Sequence, residues 1–83
     1  MNPSELKQII EAGLPGAEVT VDGDGRHFQA TVVCAEFEGK AMLQQHRMVY
    51  AALGDRFDTE VVHALALKTL TPRQWEDSRR SGS

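Results

Sequence analysis

The stretch AEVTVDGDGRHFQATVVCAEF, residues 17–37, decides the fold. In its first part Ala17, Val19 and Val21 alternate with polar residues, which is the period of a half-buried strand. The run DGDG at residues 22–25 contains residue types that tight turns favour, and it predicts a hairpin turn. A second alternating run follows and places four residues on one face: Phe28, Ala30, Val32 and Cys34.

A helix is predicted on each side of this hairpin. The first covers NPSELKQIIEAGLPGA, residues 2–17, with Asn2 or Ser4 as N-cap and Pro3 in the first turn. The second begins near Lys40 and ends at Gly54. The predicted apolar faces are Leu6, Ile9, Ile10 and Leu14 on the first helix, and Met42, Leu43, Val49, Tyr50 and Leu53 on the second.

The last third of the chain predicts a strand and a third helix. The strand is VVHALALKTL, residues 61–70, and DRFDTE before it can add a short helical turn. Thr71 is the predicted N-cap of the helix TPRQWEDSRR, and Pro72 its first residue. One face of the strand combines Val61, His63, Leu65 and Leu67.

The predicted element order is therefore αββαβα, an α+β fold. Each helix has one apolar stripe to bury, so we expect a three-stranded mixed sheet with the helices packed on one face. A single domain of residues 1–80 is predicted, followed by a frayed tail at residues 81–83.

Composition narrows the class of protein. The chain has 83 residues, of which 41% are hydrophobic and 25% charged, and no apolar run approaches the roughly 20 residues of a membrane helix. The net charge of −3 argues against binding through phosphate contacts. A single cysteine excludes an internal disulfide, and the N-terminus lacks a secretory signal pattern. We therefore expect a cytoplasmic protein without a membrane partner.

The sequence was searched for motifs of nucleotide, calcium, reactive-thiol and catalytic sites. DGDG lacks the third glycine and the following helix of a dinucleotide loop, and Val33 stands where a calcium loop needs glutamate. Cys34 lies on the predicted core face and is expected to be a buried thiol. No nucleophile triad, carboxylate pair or phosphate loop is present, so the sequence predicts no enzyme.

The chain has three histidines, and they differ in context. His46 lies on the second helix, where a solvated or partly packed side chain is the ordinary interpretation. His27 stands at the exit of the hairpin turn, where an exposed loop histidine is favoured, although loops also collect binding residues. His63 lies near the start of the third strand. A core-edge histidine is the more common interpretation there, and a metal ligand is the alternative.

Longer motifs resemble one family. FEGKAMLQQHRMVYAAL at residues 37–53 and VHALALKTLTPRQW at residues 62–75 together resemble the BolA family, in particular its short IbaG-like branch. The similarity covers nearly the whole chain, from the first helix to Trp75. It implies an αββαβα fold similar to that of class II KH domains.

The resemblance also implies a function. In this family a heterodimer with a monothiol glutaredoxin shares a [2Fe–2S] cluster, for iron–sulfur trafficking or for iron and redox sensing. Glutaredoxin supplies a cysteine and a bound glutathione, and the BolA-like partner supplies the histidine that begins the third strand, here His63. A second ligand comes from the loop between the first two strands, where His27 is the matching residue. The isolated chain is expected to hold no cluster, and a homodimer stays open.

A nucleic-acid-binding regulator is the alternative. The family includes proteins described as transcriptional regulators, and KH domains grip the nucleic-acid backbone with a Gly-x-x-Gly loop that this chain lacks. The residues that could form a basic stripe are Lys68, Arg73, Arg79 and Arg80.

Overall fold

The computed structural model describes residues 2–24, 26–54 and 64–81. Three helices and three strands appear in the predicted order. They are α1 (Pro3–Gly13), β1 (Glu18–Gly23), β2 (Phe28–Val33), α2 (Met42–Leu53), β3 (Leu65–Leu70) and α3 (Pro72–Ser81), with a 3-10 turn at Ala35–Phe37 before α2. The predicted helical turn at 55–60 and the first part of the predicted third strand, 61–63, lie outside the described residues. None of the described helices is long and apolar enough to cross a membrane.

β2 is the central strand of a three-stranded mixed sheet. It pairs antiparallel with β1, with Glu18 opposite Val33, which confirms the predicted hairpin. It pairs parallel with β3, with Phe28 opposite Leu65 and Val33 opposite Leu70. Parallel neighbours require a crossover connection, and α2 lies within it. The α+β fold class with a mixed sheet is confirmed.

Local capping explains where two of the helices begin. The Asn2 side chain accepts a hydrogen bond of 2.8 Å from the backbone N–H of Glu5, and Pro3 follows in the first turn. At α3 the Thr71 hydroxyl accepts from the N–H of Gln74 at 3.1 Å, and the Gln74 side chain accepts from the N–H of Thr71 at 2.8 Å. This reciprocal pair is a capping box, and it confirms the Thr71 cap.

The core lies between the sheet and the first two helices. α1 contributes Leu6, Ile10 and Leu14, as predicted, and β2 contributes the predicted face. On α2 the prediction is wrong for two residues, because Met42 and Leu43 are 69% and 63% exposed. The full buried cluster comprises Leu6, Ile10, Leu14, Val19, Phe28, Ala30, Val32, Cys34, Phe37, Val49, Leu53 and Leu65.

The difference on α2 has a geometric reason. The helix begins at Met42 and not near Lys40, so Met42 stands in its first turn, at the edge of the packed region. Leu43 lies roughly 200° around the helix axis from Gln45, on the solvent side. The buried stripe is Gln45, Val49 and Leu53, at four-residue spacing.

α3 lies apart from this core. None of its residues belongs to the buried cluster, and Trp75 lines a cavity of about 250 Å³ with Val33 and Glu18 at one end of the sheet. Val33 and Glu18 alternate with the core-facing residues of β2 and β1, so they belong to the other face of the sheet. α3 contacts β3, and Trp75 lies near Val33 at the end of β2.

A buried glutamine joins three parts of the fold. The Gln45 amide donates to the carbonyl oxygens of Phe37 at 3.1 Å and Lys40 at 3.0 Å. Its side-chain oxygen accepts a hydrogen bond of 2.7 Å from the hydroxyl of Thr69 on β3. Gln45 is only 7% exposed, so these bonds replace the water that its amide loses on folding.

Replacing Thr69 with valine should therefore destabilise the fold. Thr69→Val keeps the shape of the side chain but removes the donor, and it leaves the buried oxygen of Gln45 without a partner. We expect a loss of about 1–3 kcal/mol in the free energy of unfolding, measured by urea denaturation. The matched control is Thr31→Val on the opposite sheet face, which should change stability by less than about 0.5 kcal/mol. Equal effects at the two positions would contradict the role assigned to Gln45.

Candidate metal-binding site

The hairpin turn is organised by one carboxylate. Asp24 Oδ1 accepts hydrogen bonds from the backbone N–H groups of Arg26 at 2.9 Å and His27 at 2.8 Å. The N–H of Asp24 in turn donates to the carbonyl oxygen of His27 at 3.2 Å. Aspartate commonly closes turns in this way. The backbone of His27 is thereby held at the point where β2 begins.

These hydrogen bonds favour the ionised form of Asp24. The N–H of His27 has the largest effect and that of Arg26 the next, and together they hold the pKa of the Asp24 carboxyl below its ordinary value. The turn is thus best formed when Asp24 is charged. The sequence marked DGDG as a turn, but it did not single out Asp24 as the residue that orients His27; the three-residue spacing between them was the available signal.

Because β2 and β3 are parallel, their first residues lie side by side at the same end of the sheet. The N–H of Phe28 donates to the carbonyl oxygen of Ala64 at 2.9 Å, directly before the register of Phe28 with Leu65. His27 precedes Phe28, so its backbone lies beside Ala64. His63, the other predicted ligand, directly precedes Ala64 in the sequence and lies outside the described residues.

The side chain of His27 is accessible. It is exposed and lines a shallow cavity of about 300 Å³, together with Asp22, Gly23, Asp24 and Gln29. An exposed imidazole on a fixed backbone can offer a ring nitrogen to a metal held partly by another molecule. Within the described residues, no three histidine, cysteine, aspartate or glutamate side chains come close enough to hold a metal ion together.

Cys34 and His46 lie elsewhere. Cys34 is 3% exposed at the opposite end of β2, where its N–H donates to the carbonyl oxygen of Leu70 at 3.0 Å. This confirms the predicted buried thiol and separates it from His27 by the length of the strand. His46 is half-buried on α2 and lines a different groove with Lys68 of β3.

The four basic residues of the alternative prediction lie in two elements. Lys68 is exposed on β3, and Arg73, Arg79 and Arg80 are exposed on α3. Arg73 and Arg80 are two turns apart and share a side of the helix, whereas Arg79 lies roughly 100° away from Arg80. The guanidinium of Arg79 lies 3.9 Å from the carboxylate of Glu76 and lines the cavity that contains Trp75. The four residues are therefore spread over two elements, and Arg79 lies on a different side of α3 from Arg73 and Arg80.

Comparison with known proteins gives consistent matches along the chain. A family model described as BolA-like protein matches residues 3–74. The acid stress protein IbaG of Escherichia coli K12 is 31% identical over 80 residues, 96% of this chain and 95% of that protein. BolA-like protein 1 of Bos taurus is 38% identical over 78 residues, 94% of this chain, but the chain spans only 55% of that longer protein.

A solved structure shows the same arrangement. The BolA homologue from Coxiella burnetii superposes with a TM-score of 0.82 at 45% sequence identity, covering 92% of this chain and 97% of that one. The αββαβα order predicted from sequence is thus that of an experimentally known fold.

Protonation of Asp24 should loosen the turn before β2. Because its pKa is depressed in the folded protein, its contribution is complete above the pKa of an unfolded aspartate, about 3.9, and is lost as the pH falls through the lower folded value. We expect the amide resonances of Arg26 and His27 to move with a midpoint below that unfolded value in an NMR titration. Asp24→Asn should keep an acceptor but abolish the titration, and Asp24→Ala should lose the hydrogen-bonded shifts at every pH. A midpoint at or above the unfolded value would contradict the assignment.

Proposed function

The chain belongs to the BolA family, and on this premise we propose that it is a non-catalytic partner of a monothiol glutaredoxin, with which it holds a shared [2Fe–2S] cluster. His63 and His27 are the ligands from this chain in the proposal. A glutaredoxin cysteine and a glutathione thiolate are the ligands from the other side. The role is iron–sulfur cluster trafficking or iron and redox sensing in the cytoplasm.

The register of β2 with β3 is the observation that carries this proposal. It places the backbone of His27 beside Ala64 at one end of the sheet, and Ala64 directly follows His63 in the sequence. Because His63 directly precedes Ala64 in the sequence, His27 and His63 are the residues of this chain that would hold the cluster. Asp24 holds the His27 backbone in place through its hydrogen bond of 2.8 Å.

The composition of the site supports a shared cluster over one bound by this chain alone. Two imidazoles leave two of the usual four ligand positions of a [2Fe–2S] cluster to be supplied. The only cysteine of the chain is buried at the other end of β2. Histidine ligation makes a cluster less negative than four thiolates do and links its potential to pH. Such chemistry suits transfer or sensing, and it agrees with the similarity to an acid stress protein.

The nucleic-acid alternative has less support. The basic residues that it requires are divided between β3 and two sides of α3, and the net charge of −3 opposes a polyanion at long range. Similarity to class II KH domains stays a prediction from sequence, as does a homodimer.

Removing His63 should abolish or alter the shared cluster. The chain is co-expressed anaerobically with a monothiol glutaredoxin, and the purified complex is measured by visible absorption and circular dichroism. His63→Ala should lose the cluster or change its bands, because one iron loses an imidazole ligand. His27→Ala should have a weaker effect, since water or a nearby side chain can replace a loop ligand more easily.

Two controls make the result specific. His46→Ala removes the third histidine on a different surface, and Cys34→Ala removes the buried thiol; both should leave the spectra unchanged. Size-exclusion chromatography of the mixed apo proteins shows whether a complex forms without a cluster. A complex with spectra unaltered in His63→Ala would contradict the ligand assignment, and a complex that never carries a cluster would indicate a plain adaptor.

A further inference from the structure

A second surface lies along the other half of β3. A groove of about 350 Å³ is bordered by α2, by residues 67–70 of β3 and by the first turn of α3. Its floor includes Gln45 and Thr69, the buried pair described above, so the groove rests on a rigid part of the fold. His27 and Ala64 lie at the opposite end of β3, so the groove is separate from the proposed metal site.

On this side β3 has peptide groups that point away from β2. The carbonyl oxygens of Ala64 and Leu70 accept hydrogen bonds from β2, so the even-numbered residues of β3 direct their peptide groups to β2. Residues 65, 67 and 69 alternate with them and direct their N–H and C=O groups outward. Within the described residues, the outward N–H groups of Leu67 and Thr69 donate no hydrogen bond. Exposed edges of this kind accept another strand.

The groove is also basic within an acidic protein. Lys40 and Lys68 line it, and no carboxylate is among the described residues that border it, although the whole chain carries a net charge of −3. The Lys40 ammonium donates to the carbonyl oxygen of Glu36 at 2.9 Å, which positions the charge and leaves two of its protons for another acceptor.

Exposed apolar residues stand beside the groove. Met42 lines it and is 69% exposed, and Leu43 next to it is 63% exposed. They are the exposed large hydrophobic residues of the described chain. A flexible thioether at the rim of a groove adapts readily to different apolar partners.

We propose that this groove binds an extended acidic segment of a partner protein, which adds to the outer edge of β3 as a fourth strand. Backbone hydrogen bonds to Leu67 and Thr69 supply affinity, and alternate side chains supply specificity. The carboxylates of the segment lie on the sheet face of Lys68, and its alternate apolar side chains lie on the helix side, where one packs on Met42.

A peptide fits these features better than a nucleic acid does. The outer edge of β3 presents both N–H donors and C=O acceptors, which a peptide backbone satisfies together, whereas phosphates only accept. Among the described residues that line the groove, none is a phenylalanine, tyrosine or tryptophan, and the imidazole of His46 is the one ring on which a base could stack.

The test uses two synthetic peptides as long as β3, about six residues, which is a usual strand length. One alternates valine with glutamate, and the other alternates valine with lysine. Each is titrated into the whole protein labelled with nitrogen-15. We expect the glutamate peptide to shift the amide resonances of Leu67 and Thr69 and to slow their hydrogen exchange, and the lysine peptide to leave them unchanged.

Charge-reversal variants test the recognition. Lys68→Glu should weaken binding of the glutamate peptide by about tenfold or more. The matched control Lys7→Glu changes an exposed lysine on α1 and should bind as the wild type does. Circular dichroism confirms that each variant is folded, and His27→Ala should retain binding because the metal site lies at the other end of β3.

Three outcomes would overturn the proposal. The first is no response at Leu67 and Thr69 to the glutamate peptide. The second is equal binding of the two peptides, or equal effects of Lys7→Glu and Lys68→Glu. The third is a response of the same amides to a single-stranded oligonucleotide and not to the peptide, which would assign the groove to nucleic acid.

Discussion

The parallel pairing of β2 with β3 is the constraint on which the rest of this structure depends. Hydrogen bonds from Phe28 to Ala64 and from Cys34 to Leu70 set the register at the two ends of β2. A shift of this register by one residue would turn Leu65 and Thr69 away from the helices. It would also move His27 away from the residue that follows His63. The register therefore couples the core to the proposed metal site.

β3 then serves two surfaces. Its beginning lies beside His27, where an imidazole can be offered across an interface to a cluster. Its second half borders the groove that Lys40 and Lys68 line, and it directs peptide groups outward there. In the two proposals each of these surfaces contacts a partner molecule. If a partner protein contacted both surfaces, its binding would depend on the peptide groove as well as on the shared cluster.

The interior polar contact is as informative as the apolar core. Gln45 occupies a position on α2 that an apolar residue would usually fill, and its amide joins the 3-10 turn, the start of α2 and β3. A buried amide tolerates only an arrangement that satisfies its donors and its acceptor. This interaction supports the floor of the groove and keeps the first turn of α2 in place.

The sequence by itself determined the element order, the hairpin, the helix cap at Thr71 and the buried side of β2, because these depend on local periodicity and on side chains within a few residues. It left the first cap open between Asn2 and Ser4, and the structure selected Asn2. The sequence also carried the motifs by which the family can be recognised, and it marked His27 and His63 as candidate ligands. Only the tertiary structure decided that β2 is central and parallel to β3, and that Gln45 and not Leu43 lies on the buried stripe of α2. Those features depend on contacts between residues far apart in the chain, such as Thr69 with Gln45, and no short-range pattern encodes them.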